Sequence, residues 1–150
     1  MDAAFELRRA TRSDIDAVAP LFDAYRQFYR RATDPCGAQA FIGERLTRGE
    51  SVIFLAEQAR EALGFTQLYP SFTSAGMARI FVLNDLFVRP AARGCGIGAS
   101  LLRRAAEFAR EQDAVRLVLS TETTNVAAQA LYAREGWQRD ETFLTYQLPL

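Results

Sequence analysis

A single α/β domain with helices on both faces of a mixed β-sheet is what this sequence predicts, on three observations. Strand-like and helix-like stretches follow one another in the order β-α-α-β-β-β-α-β-α-β, which combines antiparallel hairpins with one βαβ crossover. The length, 150 residues, is that of one domain, enough to bury about 70% of the surface the unfolded chain exposes. No internal repeat, low-complexity tract or linker divides it, so residues 1–150 are read as one unit.

Each element has its own signal. FELRR, Phe5 to Arg9, reads as a first strand. SDIDAVAPLFDAYRQFY has amphipathic helical spacing, with Ser13 placed to open the helix, Asp16 three residues on, and Pro20 expected to kink it. Phe41, Ile42 and Leu46 mark a second helix that should stop at Gly49. SVIFLAE and LGFTQLYP, separated by the polar QAREA, have the pattern of a β-hairpin. RIFVLNDLFV, Arg79 to Val88, is apolar almost throughout and rich in branched and aromatic residues, which predicts a strand buried on both faces at the sheet centre. Beyond it, Ile97, Leu101, Leu102, Ala105 and Phe108 fall on one helical stripe. VRLVLST is expected as a strand, NVAAQALYARE as a short helix ended by Gly136, and FLTYQL as an alternating, closing strand.

Composition removes several function classes. Acidic and basic residues balance at 18 each, which argues against a nucleic-acid footprint or a polybasic membrane anchor. No window approaches the roughly 20 apolar residues of a membrane span, and MDAAFELRRATRSD lacks the charged-then-apolar order of a signal peptide. A cytoplasmic protein is expected, and a homodimer is compatible with it. The chain has neither His nor Lys. Imidazole bases, Ser-His and Cys-His couples, a Walker-type phosphate loop and a Schiff-base lysine are thereby excluded. Cys36 and Cys95 are too few and too far apart for a zinc ligand set or a disulfide framework, and no metal site is expected.

The chemistry concentrates at RGCGIG, Arg93 to Gly98. A glycine-rich turn that feeds a helix presents unpaired N–H groups and the positive end of the helix dipole, an arrangement that takes phosphate. Gly94, Gly96 and Ala99 satisfy G-x-G-x-x-A, so a dinucleotide-binding unit has to be weighed. Against it, five residues separate the glycines from the preceding strand, Asp113 precedes the next strand instead of ending it, and too little chain remains for another mononucleotide half. The alternative is a pyrophosphate held by successive N–H groups of residues 94–99, with Arg93 adding a guanidinium fork.

LFVRPAARGCGIGASLL resembles the acetyl-coenzyme A signature of the GNAT superfamily of N-acetyltransferases, R/Q-x-x-G-x-G/A after a strand ending in L-x-V-x-P, and NVAAQALYAREGW is similar to that family's N-x-x-A-x-x-L-Y-x-x-x-G-F/W motif. With the element order, the resemblance covers nearly the whole chain. It implies acetyl-CoA as cosubstrate, an amine as acceptor, and direct transfer between them. The pantetheine arm would pair like an extra strand with Leu86, Phe87 and Val88, where a backbone N–H near Val88 would polarise the thioester carbonyl. The pyrophosphate would sit on Arg93, Gly94, Cys95, Gly96, Ile97, Gly98 and Ala99. Asn125, with Ala128 in the same motif, would reach the pantetheine, and Asn125 also suits a helix N-cap.

For the chemical step the resemblance points to Tyr132 as the acid that protonates the leaving thiolate; packing beside Leu131 is its structural alternative. The branch that includes polyamine acetyltransferases places an acidic pair before L-x-V, the first member contacting the amine. Here that member is Asn84, an amide that can hydrogen-bond the amine but cannot take its proton. Asp85 could act through water, although strand alternation points it to the face opposite Asn84, and Glu122 is a further candidate. Phe28 and Tyr29 fall where related enzymes place substrate contacts. Cys95, at a helix start where thiol pKa values fall, invites a nucleophile reading that direct transfer does not need. An enzyme acting on a small-molecule or amino-acid amine is the leading reading; a protein or peptide amine as acceptor, and a catalytically silent acyl-CoA-binding module, are the alternatives.

Overall fold

A computed structural model describes residues 5–150; the first four, part of the N-terminal stretch read for a leader, lie outside the described residues. The chain forms two compact units, one running to Ser120 and the other Thr121–Leu150. The first holds β1 (Glu6–Arg9), α1 (Ile15–Phe28), α2 (Pro35–Arg48), β2 (Val52–Gln58), β3 (Glu61–Thr73), β4 (Ala78–Val88), α3 (Ile97–Glu111) and β5 (Leu117–Val118). The second holds α4 (Val126–Arg134).

The sheet is mixed, as expected. Its order is β1-β2-β3-β4-β5, antiparallel throughout except for the parallel β4–β5 pair that the α3 crossover joins. Alternation along β2 divides the core between two faces. Ile53 and Leu55 cluster with Val18 and Leu21 of α1 and Ile42 of α2. Phe54, between them, turns the other way and meets Phe108 of α3 at 5.6 Å between ring centroids, and Phe81 of β4 meets the same ring at 5.2 Å. Helices therefore cover both faces. Each such fully buried side chain stabilises the fold by about 1.5–3 kcal/mol relative to exposure.

The sheet centre is β3, not β4: the RIFVLNDLFV strand lies fourth, paired with β3 along its length but with β5 only at Phe81 and Val82. Of VRLVLST only Leu117–Val118 is strand. The hairpin turn is shorter than QAREA. Ala59 and Arg60 alone make it, with φ of 49° and 65°, the pair of left-handed residues that matches strand twist, and the flanking polar residues belong to the ladders.

The first helix opens differently from the Ser13 and Asp16 expectation. Arg12–Asp14 form a 3-10 turn ahead of it, where the Thr11 N–H donates to Asp14 Oδ2 at 2.7 Å and the Asp14 N–H to the Thr11 carbonyl at 2.9 Å. Asp14 wins over Asp16 because Arg8 of β1 holds both its oxygens, at 2.8 and 2.7 Å. That guanidinium, with the Thr11 N–H, keeps the Asp14 carboxyl down to about 2. The helix then continues through Pro20 to Phe28. Its exit is closed by the Arg30 N–H on the Gln27 carbonyl and the Arg31 N–H on the Arg26 carbonyl, with Arg30 left-handed at φ 64°. Gly49, at φ 63°, ends α2 as expected.

In the second unit, Asn125 is the N-cap of α4, its side chain accepting from the Ala128 N–H at 3.2 Å, and Gly136 turns at φ 87° just past the end. FLTYQL is not a strand. Phe143 and Leu144 are 77% and 83% exposed; alternation makes a strand only against a ladder partner, and this segment has none among the described residues. No described helix is long and apolar enough to cross a membrane.

Candidate active site

The loop after β4 has the geometry of a cradle. Gly94 and Gly96 both take φ 82°, a left-handed conformation that glycine adopts without penalty, and Gly96 is the N-cap of α3. The first helix bond at this end is from the Ser100 N–H to the Gly96 carbonyl. Among the described residues, the N–H groups of Gly94, Cys95, Gly96, Ile97, Gly98 and Ala99 thus find no acceptor. Arg93 stands beside them with Nε on the Val88 carbonyl at 2.9 Å and its guanidinium 5.6 Å from the Phe87 ring centroid, so the terminal N–H groups stay available. Cys95 is exposed and free, Sγ 3.9 Å from the Arg93 carbonyl.

Next to the cradle, β4 has no strand partner on its β5 side beyond Val82 among the described residues. The Arg89 N–H donates to the Leu63 carbonyl at 2.8 Å, which sets the phase of the β3–β4 ladder. Phe87 and Asp85, an even number of positions back, direct their backbone groups toward β3; Leu86 and Val88 direct theirs to the edge that β5 has left. Phe87 is committed twice over, its side chain lying in the core cluster.

A bulge brings Asn84 and Asp85 together. The register runs Gln67↔Asp85 and then Leu68↔Leu83, so Asn84 is the extra residue and alternation breaks there. Instead of facing away, the two side chains are joined: Asn84 Nδ2 donates to Asp85 Oδ1 at 2.9 Å. Gln67 donates from Nε2 to Asp85 Oδ2 at 2.5 Å, and its Oε1 accepts the Ser51 hydroxyl at 2.8 Å. The Tyr25 hydroxyl donates to the Asn84 carbonyl at 3.0 Å. Asp85 is 1% exposed, and burial pushes its carboxyl up from the ordinary value against the restraining hydrogen bonds of Asn84, Gln67 and Tyr25.

Asn84 and Asp85 line one cavity of about 370 Å³ with Tyr25, Tyr29, Tyr69 and Arg31. The Tyr69 phenol is pushed up to about 12, chiefly by burial and then by the Asp85 charge. Tyr29 lines this cavity; Phe28 does not, its ring lying 5.2 Å from that of Tyr29 and 47% exposed. In the second unit Tyr132 is half-buried on α4, 6.1 Å from the Trp137 ring, and Glu122 precedes the helix, its carbonyl accepting from the Asn125 N–H at 3.0 Å. The residues missed from the sequence are Gln67, Tyr25 and Arg31. Gln67 alone had a signal, an amide inside a buried apolar strand.

A sheet whose parallel strands part beside a cradle of N–H groups without acceptors has the form of a site for a phosphate-bearing ligand. The model of the Acetyltransferase (GNAT) family matches residues 18–137. YhfO, an uncharacterized N-acetyltransferase of Bacillus subtilis strain 168, is 49% identical over 142 residues, which cover 95% of each chain. A crystal structure of a probable acetyltransferase aligns at TM-score 0.91 and 41% identity over 97% of both chains. An aminoglycoside N-acetyltransferase in complex with CoA, 15% identical, shares the fold at TM-score 0.82 over 97% of this chain and 95% of that one. The chain belongs to the GNAT acetyltransferase family and is an acyltransferase of the N-acetyltransferase type.

Proposed function

We propose that the protein transfers the acetyl group of acetyl-CoA to a primary amine of a small molecule by direct attack. The observation that carries this reading is the cradle of unpaired N–H groups from Gly94 to Ala99 set beside the open edge of β4. The cradle takes the pyrophosphate, and the terminal N–H groups of Arg93 add charge-assisted bonds. Leu86 offers its backbone groups to the pantetheine arm, and Val88, its carbonyl held by Arg93, gives its N–H to polarise the carbonyl to be attacked. When bound, acetyl-CoA supplies the activated acetyl group as a thioester.

The rest is done by side chains. An amine of pKa near 10 is neutral at pH 7 only at a cost of about 4 kcal/mol, which an aromatic, desolvated cavity lowers. Asp85, 1% exposed and held by the Asn84 and Gln67 amides, acts on the amine through Asn84 and not directly. It fixes the Asn84 amide with Nδ2 inward, leaving Asn84 Oδ1 to accept from the amine. In the step itself the amine nitrogen forms the new bond to the carbonyl carbon while the C–S bond breaks. The sulfur takes its proton from the Tyr132 hydroxyl, the nitrogen loses its extra proton to water, and the tyrosine is reprotonated from solvent. Asn125 serves as helix cap and as a contact to the pantetheine.

The cavity of about 370 Å³ suits a small molecule. Release of free thiol from acetyl-CoA, followed across a panel of primary amines, tests the reading. Amine-dependent thiol release with formation of the acetylated amine is expected; release no faster than hydrolysis with every amine would leave only a binding module.

A further inference from the structure

Among the described residues, the acceptor cavity contains a cation that forms no ion pair. Arg26 and Arg31 line it together with Asn84 and Asp85. Arg26 is partly spent: Nη1 donates to the Ala32 carbonyl at 3.0 Å and lies 3.4 Å from Asp23. Asp23 in turn is held by the Asp34 N–H and the Thr33 hydroxyl, at 2.9 and 2.6 Å, so it is turned to the loop and not to the cavity. The Arg31 guanidinium makes no ion pair among the described residues. Asp85, the one acid among the described lining residues, has both oxygens occupied.

The placement of Arg31 is built. Arg30 adopts a left-handed φ of 64°, where glycine is the ordinary choice, and that turn lets the Arg31 N–H close on the Arg26 carbonyl at 3.0 Å. The following loop is tied down by Asp23, as above. A cation on a closed loop thus shares a small aromatic-walled cavity with an amide poised to receive an amine. A second amine or a polycation would meet Arg31 as a like charge; an anion would find its partner there.

From this juxtaposition we infer that the acceptor is a small amino carboxylate, a free amino acid, whose amine sits at Asn84 and whose carboxylate is held by Arg31. The inference rests on the acetyl-transfer reading. It separates amino acids from their decarboxylated counterparts, which have the same side chain but no anion for Arg31 and a more basic amine, so rates are compared per fraction of neutral amine. A charge-assisted bond of this kind is worth about 10- to 100-fold in kcat/KM.

The test is thiol release with the pairs phenylalanine and phenethylamine, leucine and isoamylamine, lysine and cadaverine, for the wild type, Arg31→Gln and Arg31→Lys. Variants are first checked for native circular dichroism and thermal midpoint. The expected result is a preference of about tenfold or more for the carboxylate-bearing member in at least one pair, narrowed toward one in Arg31→Gln through a raised KM, and partly kept in Arg31→Lys. Decarboxylated amines acetylated as well as or better than the amino acids, or a preference that Arg31→Gln leaves intact, overturns the inference while the small-amine reading stands. Absence of transfer to every member of the panel overturns both.

Discussion

Gln67 on β3 bridges Ser51 and Asp85: its Nε2 donates to the buried Asp85 carboxylate at 2.5 Å and its Oε1 accepts the Ser51 hydroxyl at 2.8 Å. All three residues are buried. Replacing Gln67 by Met keeps the volume but leaves a carboxylate oxygen and a hydroxyl without their partner, each a cost of about 1–3 kcal/mol. Urea unfolding should show Gln67→Met less stable by about that much. A midpoint equal to wild type would mean that water or another group replaces the amide without loss.

Asp85 also makes stability depend on pH. Its folded pKa is raised above the ordinary carboxylate value, mainly by burial, so the folded state binds the proton more tightly than the unfolded state. The favourable contribution is complete below the unfolded pKa and is lost as pH rises through the folded pKa. Asp85→Asn removes this dependence, and its amide can be accommodated by a flip of Gln67 with the Ser51 hydroxyl turned to accept. The stability difference between variant and wild type should move in the variant's favour as pH rises from 3 into the neutral range. A difference that stays constant over that range contradicts the raised pKa.

The pH profile of the reaction distinguishes a protein base from a desolvating pocket. With Asn84 unable to take a proton and Asp85 occupied, kcat/KM should rise with pH along the titration of the acceptor amine and shift between two acceptors of different pKa. Asp85→Asn should keep the rising limb even where its rate is lower. A limb that ignores the acceptor and disappears in Asp85→Asn would make Asp85 the base.

At Gly96, φ 82° sets the cost of any side chain, since a Cβ there meets no atom within 4 Å. Gly96→Val should lower stability by about 1–3 kcal/mol and weaken acetyl-CoA binding at least tenfold, as the strained turn redirects the N–H groups. Circular dichroism should still report a folded protein. Calorimetric titration showing wild-type affinity would remove the pyrophosphate from this loop.

Tyr132→Phe removes a hydroxyl and nothing else. If that hydroxyl protonates the thiolate, turnover should drop by about 100-fold or more, with a far smaller change in the dissociation constant for acetyl-CoA. Turnover within a few-fold of wild type would make Tyr132 a packing residue of α4 beside Trp137.

What the sequence disclosed was whatever is local. The α3 stripe showed because all five of its apolar positions obey one 3.6-residue period, and each of them is buried. Gly49 and Asn125 were readable because caps depend on the residue itself. Pairing was not readable. Nothing in RIFVLNDLFV marks Asn84 as a bulge, because a bulge is a mismatch against Leu68 and Gln67 on another strand, and the alternation rule then aimed Asp85 at the wrong side. The Thr11–Asp14 opening of α1 was not readable because the decisive partner of Asp14, Arg8, sits on β1. The cradle was visible in Gly94 and Gly96, whereas Arg31 was not, since only the left-handed turn at Arg30 brings it to the cavity.

The length of β4 beyond Val82 has a consequence for solubility. An unpaired strand margin is a template onto which another chain can add a strand, the common first step of aggregation. Under the proposed acetyl transfer this margin is where the pantetheine arm pairs, and the hazard is blunted by local means. The bulge at Asn84 breaks the flat run, and Arg93 stoppers the Val88 carbonyl at 2.9 Å, so an incoming strand meets a kink at one end and a filled acceptor with a positive charge at the other. The pantetheine arm of the proposed acetyl-CoA, thin and without a side chain at each step, would slip along what remains.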